Sequence, residues 1–168
     1  GCFAAGLFST ACTRYPIDFA LEGGAIETDG AGTLLTTWRC LQQRHPQRSR
    51  QQLMQQLVDA LHTDRVMALE YGYLEGDDTD AHIDTLARLC PRNTIVYVAC
   101  DDPADEHYTS LKAMERELQQ FSGYRLLPLP WPGAKFDSAG HRLPATYANY
   151  LVINGAVLSS TTMTCVQV

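Results

Sequence analysis

The 168-residue chain carries 13 Lys and Arg against 19 Asp and Glu, a formal charge of −6, with 45% hydrophobic and 19% charged residues. That is the composition of a globular domain; its acidity argues against nucleic acid or an anionic membrane surface as partner and suits a cationic ligand. No apolar run approaches the roughly 20 residues of a membrane span, and no secretory leader pattern is present, so a cytoplasmic protein is expected.

In chain order, "ALEGGAIETDGAGTLLTT" predicts a hairpin whose turn is centred on Asp29-Gly30, a pair suited to positive φ angles. Glycines 23 and 24 read as backbone-geometry residues. "RSRQQLMQQLVDALHTD" spaces Leu53, Leu57 and Leu61 four apart, and Ser49 with Gln52 makes a capping box, so an amphipathic helix is predicted. "RVMALE" follows as a buried strand. The order then recurs. "HIDTLARL" and "TIVYVAC" make a second hairpin around "CPRN". "PADEHYTSLKAMERELQQF" makes a second helix with Tyr108, Leu111, Met114 and Leu118 on one stripe, and "YRLLPLP" makes its closing strand. "PLPWPG" reads as a stiff exposed connection. "YANYLVINGAVLSS" opens a third hairpin at Asn154-Gly155.

One partial domain, 1–168, is therefore expected, with ββαβ units at 22–70 and 82–130 and the opening hairpin of a third at 147–160. The segment from His82 to Cys90 is ambiguous, because Ile83, Leu86, Ala87 and Cys90 also fit a helical period. The repeat favours a strand. In a strand His82 and Asp84 share a face; in a helix Asp78 and His82 do.

Residues 73–84 crowd five carboxylates around one histidine. The plain reading is a solvated acid loop beside a structural histidine. The chemical reading joins His82 to Asp84 and to Glu22, which occupies the corresponding place before the first hairpin. Such a set would make an anionic hole with one proton-transfer group, suited to a guanidinium or amine. A hard-cation site on "DDTD" lacks the spacing of a calcium loop. Six cysteines, Cys2, Cys12, Cys40, Cys90, Cys100 and Cys165, show no CxxC spacing, so reduced thiols are expected, with neither a zinc site nor a disulfide framework.

"LEGGAIETDGAGTLLTT", "GDDTDAHIDTLARL", the "DDP" that follows Cys100 and "TYANYLVINGAVL" together resemble the agmatine deiminase family, which includes the Porphyromonas-type peptidyl-arginine deiminases. The resemblance runs in register from about Phe19 to Leu158. It implies an α/β fold, the five-bladed propeller of ββαβ units of the guanidine-modifying (pentein-like) superfamily, of which this chain would hold about two and a half repeats. It assigns His82 as general acid and base, and Glu22, Asp78 and Asp84 as substrate-binding carboxylates. Ala81 stands where the family commonly has glycine.

The implied reaction is covalent hydrolysis of a small cationic guanidine. A cysteine thiolate attacks the guanidinium carbon, His82 protonates departing ammonia, and water then hydrolyses the thiouronium. Agmatine would give N-carbamoylputrescine. Neither metal nor organic cofactor is implied, and a homo-oligomer is compatible. The family's early Trp-Arg-Asp and its Asn-x-His-Cys motif are absent from this sequence. Cys165 lacks the expected neighbours of a nucleophile, so the chain alone is expected to be inactive. The alternatives are a noncatalytic remnant that binds cations or another propeller portion, and a peptidyl-arginine deiminase.

Overall fold

The computed structural model describes residues 15–153, 156–159 and 166–167. Within them lie three separate three-stranded sheets. In the first, β1 (Ile26–Thr28) pairs antiparallel with β2 (Thr33–Thr37), and β3 (Arg65–Leu69) lies parallel on the other side of β2. In the second, β4 (Ala87–Cys90) pairs antiparallel with β5 (Thr94–Val98), and β6 (Arg125–Leu129) runs parallel to β5. In the third, β7 (Tyr150–Ile153), β8 (Ala156–Ser159) and β9 (Val166–Gln167) are antiparallel neighbours. The Asn154-Gly155 turn and Cys165 lie outside the described residues.

A parallel return needs a crossover, and helices supply it. In the first unit these are α1 (Trp38–Arg44) and α2 (Arg50–Leu61); in the second it is α3 (Tyr108–Leu118). Helix α2 begins at the predicted capping box: Gln52 N–H reaches the Ser49 hydroxyl at 3.3 Å and Ser49 N–H reaches Gln52 Oε1 at 2.8 Å. Leu53 and Leu57 are buried, but Leu61 is 38% exposed, so the helix ends as its stripe leaves the core. In α3, Leu111, Met114 and Leu118 are all buried.

Strand β2 explains how the units interlock. Leu34 packs with Leu41, Leu53 and Leu57 beneath its own helices. Leu35, facing the other way, joins Met67, Leu69, Ile95, Tyr97 and the three apolar residues of α3. The second unit's helix thus shares its core with the first unit's sheet, and β2 is buried along its length.

Four expectations are corrected. Helix α1 was not anticipated: it starts directly at the end of β2, with the Thr37 hydroxyl accepting from Cys40 N–H at 3.4 Å. The strand expected from His82 is confined to Ala87–Cys90. Ahead of it Ile83–Thr85 form a 3-10 turn, closed by Thr85 N–H to His82 C=O at 3.3 Å and Leu86 N–H to Ile83 C=O at 3.0 Å. The first hairpin turns through a longer loop than a two-residue turn: Asp29 Oδ1 accepts from Ala31 N–H and Thr33 N–H, while Gly30 and Gly32 take the positive φ. The "PLPWPG" connection is not exposed throughout, because Trp131 within it packs against the core and donates to Asp105 Oδ2 at 2.9 Å.

Candidate active site

Two segments meet where the first two units adjoin. Glu22 precedes the 3-10 turn Gly23–Ala25, His82 precedes the turn Ile83–Thr85, and Asp84 lies within the latter. His82 and Asp84 converge on Gly24, and a Glu22 oxygen lies within 4.8 Å of the His82 ring. A β-carbon there would fall 2.6 Å from His82 Nδ1 and 2.7 Å from Asp84 Oδ2, closer than real atoms approach. Gly24 therefore provides space for the two side chains, a correction to its reading as a backbone-geometry residue; Gly23 has open space around it. The structure brings His82 and Asp84 together through a 3-10 turn, not through alternation along a strand.

Arg44 organises the acidic side. Its Nε donates to Glu22 Oε1 at 2.5 Å and its Nη1 to Asp80 Oδ2 at 2.7 Å. This guanidinium holds the Glu22 carboxyl below the usual carboxylate range against partial desolvation, and the two acids hold the Arg44 proton more tightly. Only one Glu22 oxygen is used: Oε2 is buried with no hydrogen-bond partner, and His82 Nε2 is buried in the same condition. Burial pushes the Asp84 carboxyl up, with His82 and Arg88 opposing. A half-buried carboxylate and two unsatisfied buried polar atoms are costly unless a partner completes them.

The acid run divides its labour. Asp77 folds the loop, accepting from Thr79 N–H at 3.1 Å, the Thr79 hydroxyl at 2.5 Å and Ala81 N–H at 2.8 Å. Asp80 pairs with Arg44, and Tyr73 donates to Glu75. Asp78 stands exposed, and the structure does not set it among the buried groups that gather at Gly24. Asp80 and Ala81 both carry positive φ, 64° and 66°. For residues with a β-carbon that conformation costs about 1 kcal/mol each. The loop is held to it by Asp77 and by the buried Thr37 hydroxyl, which donates to Ala81 C=O at 2.8 Å.

Sequence reasoning missed Arg44, Asp77 and Cys40. The Cys40 thiol is buried, and burial together with Glu22 pushes its pKa up to about 11, so it is no resting thiolate. Its sulfur lies within 4.8 Å of ligand atoms of Glu22 and His82. A capping box has a local spacing; these contacts have none. Away from this site, a surface hollow lined by Arg39, Gln42, Gln43, Pro46 and Glu70 shows no comparable set of acids around an imidazole.

Fold and site together define a mixed α/β protein of ββαβ units in which acids surround one imidazole where two units meet. The chain belongs to the Porphyromonas-type peptidyl-arginine deiminase family, whose pattern matches residues 3–163. It is similar to a candidate agmatine deiminase of Vibrio parahaemolyticus, 38% identical over 85% of this chain and 46% of that protein. Among solved structures, a candidate arginine deiminase from Porphyromonas gingivalis superposes with a TM-score of 0.87 at 52% identity, over 94% of this chain and 49% of the other. A substrate-bound variant of the C. jejuni agmatine deiminase superposes with a TM-score of 0.81 at 41% identity, over 85% and 43%. The chain spans about half the length of the curated relatives it matches. Among the described residues, no helix is long and apolar enough to cross a membrane.

Proposed function

We propose that the whole protein hydrolyses a guanidinium group, with agmatine as substrate and N-carbamoylputrescine and ammonia as products. The observation that carries this is the meeting of His82 and Asp84 at Gly24 with a Glu22 oxygen within 4.8 Å of the His82 ring, Glu22 Oε2 and His82 Nε2 being buried and unpartnered. A guanidinium is planar, bears five N–H donors and fits carboxylate oxygens in pairs. Placed here it gives Glu22 Oε2 its missing donor and donates to the Asp84 carboxylate, and its charge favours ionised Asp84. His82, beside the leaving amino group, supplies the proton that makes ammonia a leaving group. Exposed Asp78, in the same acid loop, is proposed as a further substrate carboxylate.

The bond-making step requires a thiolate from elsewhere in the whole protein. Sulfur adds to the guanidinium carbon, the C–N bond breaks with proton transfer from His82, and ammonia departs. His82 then removes a proton from water as oxygen adds to the carbon, and the C–S bond breaks to release the ureido product and regenerate the thiolate. The ββαβ order of the two units, followed by a third hairpin, supports extending the reading to a closed ring of five such units around this site in the whole protein. A cytoplasmic location is proposed alongside this metabolic substrate.

The test uses the complete protein with agmatine, following ammonia and carbamoylputrescine together. His82→Ala should abolish release while retaining substrate binding, and Asp84→Asn should lower kcat/KM by roughly 100-fold to 1000-fold. Wild-type rates in either variant would remove the assigned role.

A further inference from the structure

We propose that Glu22, Cys40 and His82 form a binding site for a zinc-class divalent cation, whose occupancy closes the guanidinium site. Their ligand atoms already lie within 4.8 Å of one another. In tetrahedral zinc coordination, bonds of ~2.0–2.3 Å separate the donors by about 3.5 Å. The gap is of the order of 1 Å, which rotation of the Glu22 side chain can cover. The donors come from the start of one 3-10 turn, the first turn of α1 and the start of a second 3-10 turn. Sequence spacing therefore shows no zinc pattern.

The state of the donors supports a ligand. Glu22 Oε2 and His82 Nε2 are buried without partners, so a cation bound there breaks no existing bond of theirs. Arg44 occupies only the other Glu22 oxygen and leaves Oε2 free to turn toward the cation. Cys40 is 1% exposed, and its backbone N–H is held by Thr37, which sets the direction of its Cα–Cβ bond. One sulfur, one imidazole nitrogen and one carboxylate oxygen suit zinc, or cobalt as its substitute, and disfavour calcium and magnesium. Three protein ligands leave a fourth position for water. The guanidine chemistry makes no use of Cys40, so the thiol adds to the metal site alone. A guanidinium and the cation both need Glu22 Oε2 and His82, and so exclude one another.

The purified 168-residue chain, reduced, is titrated with zinc chloride against a chromogenic chelator, and separately with cobalt. One zinc per chain is expected. Affinity should fall roughly 100-fold or more in Cys40→Ser and in His82→Ala, and stay unchanged in Cys90→Ser. Cobalt should give a thiolate charge-transfer absorption that disappears in Cys40→Ser. Glu22→Gln, which leaves the buried thiol in place, should weaken zinc about 10-fold and serves if Cys40→Ser does not fold. No stoichiometric uptake overturns the proposal. So does uptake with a cobalt spectrum indifferent to Cys40→Ser, which is an adventitious ion only. Zinc uptake in a chain whose complete protein leaves agmatine untouched upholds this site and defeats the guanidine reading alone.

Discussion

At Gly24 the requirement is volume. Its φ is ordinary, yet an added methyl group would meet His82 Nδ1, Asp84 Oδ2 and, at 3.1 Å, Asp84 Cγ. Two side-chain ends can swing away at little cost to the fold, and in doing so they abandon the site. Gly24→Ala should therefore shift stability by no more than about 1 kcal/mol while reducing turnover of the complete protein roughly 100-fold, since misplacement of about 1 Å has that effect. Gly23→Ala, with nothing within 4 Å, should change neither, and thermal melts beside agmatine kinetics separate the two positions. Asp84 makes the complementary case. Burial raises its carboxyl above the ordinary 3.8, so the unfolded chain ionises first as pH rises, and the folded state then pays for a disfavoured charge. Asp84→Asn should stabilise the chain by roughly 1 kcal/mol at pH 7. The gain should vanish below the ordinary carboxylate value, where both states are protonated; urea titrations at the two pH values read it directly. His82 and Asp84 were legible because they sit two apart in an acid run. Arg44, Cys40 and Asp77 were not, because each acts through a partner on another segment or through a loop conformation that has no sequence period.

Among the elements, those with a local rule were the legible ones: the Ser49 and Gln52 box, the 111–118 stripe of α3, the hairpins. Helix α1 was hidden because seven residues cover barely two turns, too few to show a period, and they follow a strand without a break. The connection from β6 to β7 was hidden for another reason: its anchor is buried inside another unit element. Asp105, just ahead of α3, accepts from the His107 ring at 2.7 Å, from Trp131 Nε1 at 2.9 Å and from Arg142 Nη2 at 3.2 Å. Glu75 N–H donates to His107 Nε2 at 2.7 Å, which assigns the ring proton to Nδ1. Arg142 C=O in turn packs against Gly76, where a β-carbon would lie 2.2 Å away. The network thus clamps the 131–144 segment and α3 onto the loop that carries His82. Burial raises the Asp105 carboxyl, but its donors prevail and hold it well below the usual range. Its stabilisation is accordingly present above the ordinary 3.8 and is lost as pH falls towards the depressed value. Asp105→Asn should cost roughly 3 kcal/mol at pH 7, and the difference from wild type should shrink steadily below about pH 4. A constant difference across that range would assign the loss to packing.

At the scale of the whole molecule, no sheet among the described residues shares a hydrogen-bond ladder with another, so the units are coupled through the common apolar core and a few long polar contacts. Glu27 and Arg88 are the polar contact that reaches all three sheets. Arg88 Nε donates to Glu27 Oε2 at 2.8 Å, and Leu89 N–H donates to Glu27 Oε1 at 3.1 Å, joining β1 to β4. Arg88 Nη1 donates to Tyr150 C=O at 2.9 Å and Ala148 C=O at 3.3 Å, and its guanidinium lies over the Tyr150 ring at 4.5 Å, joining both to β7. With side chains 17% and 13% exposed, the pair is largely withdrawn from water, and burial pushes the Glu27 carboxyl up against the pull of Arg88. Removing one partner strands the other charge inside, an effect of roughly 3–5 kcal/mol for buried pairs. Glu27→Ala should lower stability by about that amount, while Glu27→Gln, which keeps an acceptor for the guanidinium, should lose about half. The loss should also be unequal in space. Amide exchange in β7 should accelerate more than in α2, whose Leu53 and Leu57 rest in the first unit's own core. Equal acceleration in both elements would mean that the apolar core alone couples the units, and that the Glu27–Arg88 pair only stabilises the seam between β1 and β4.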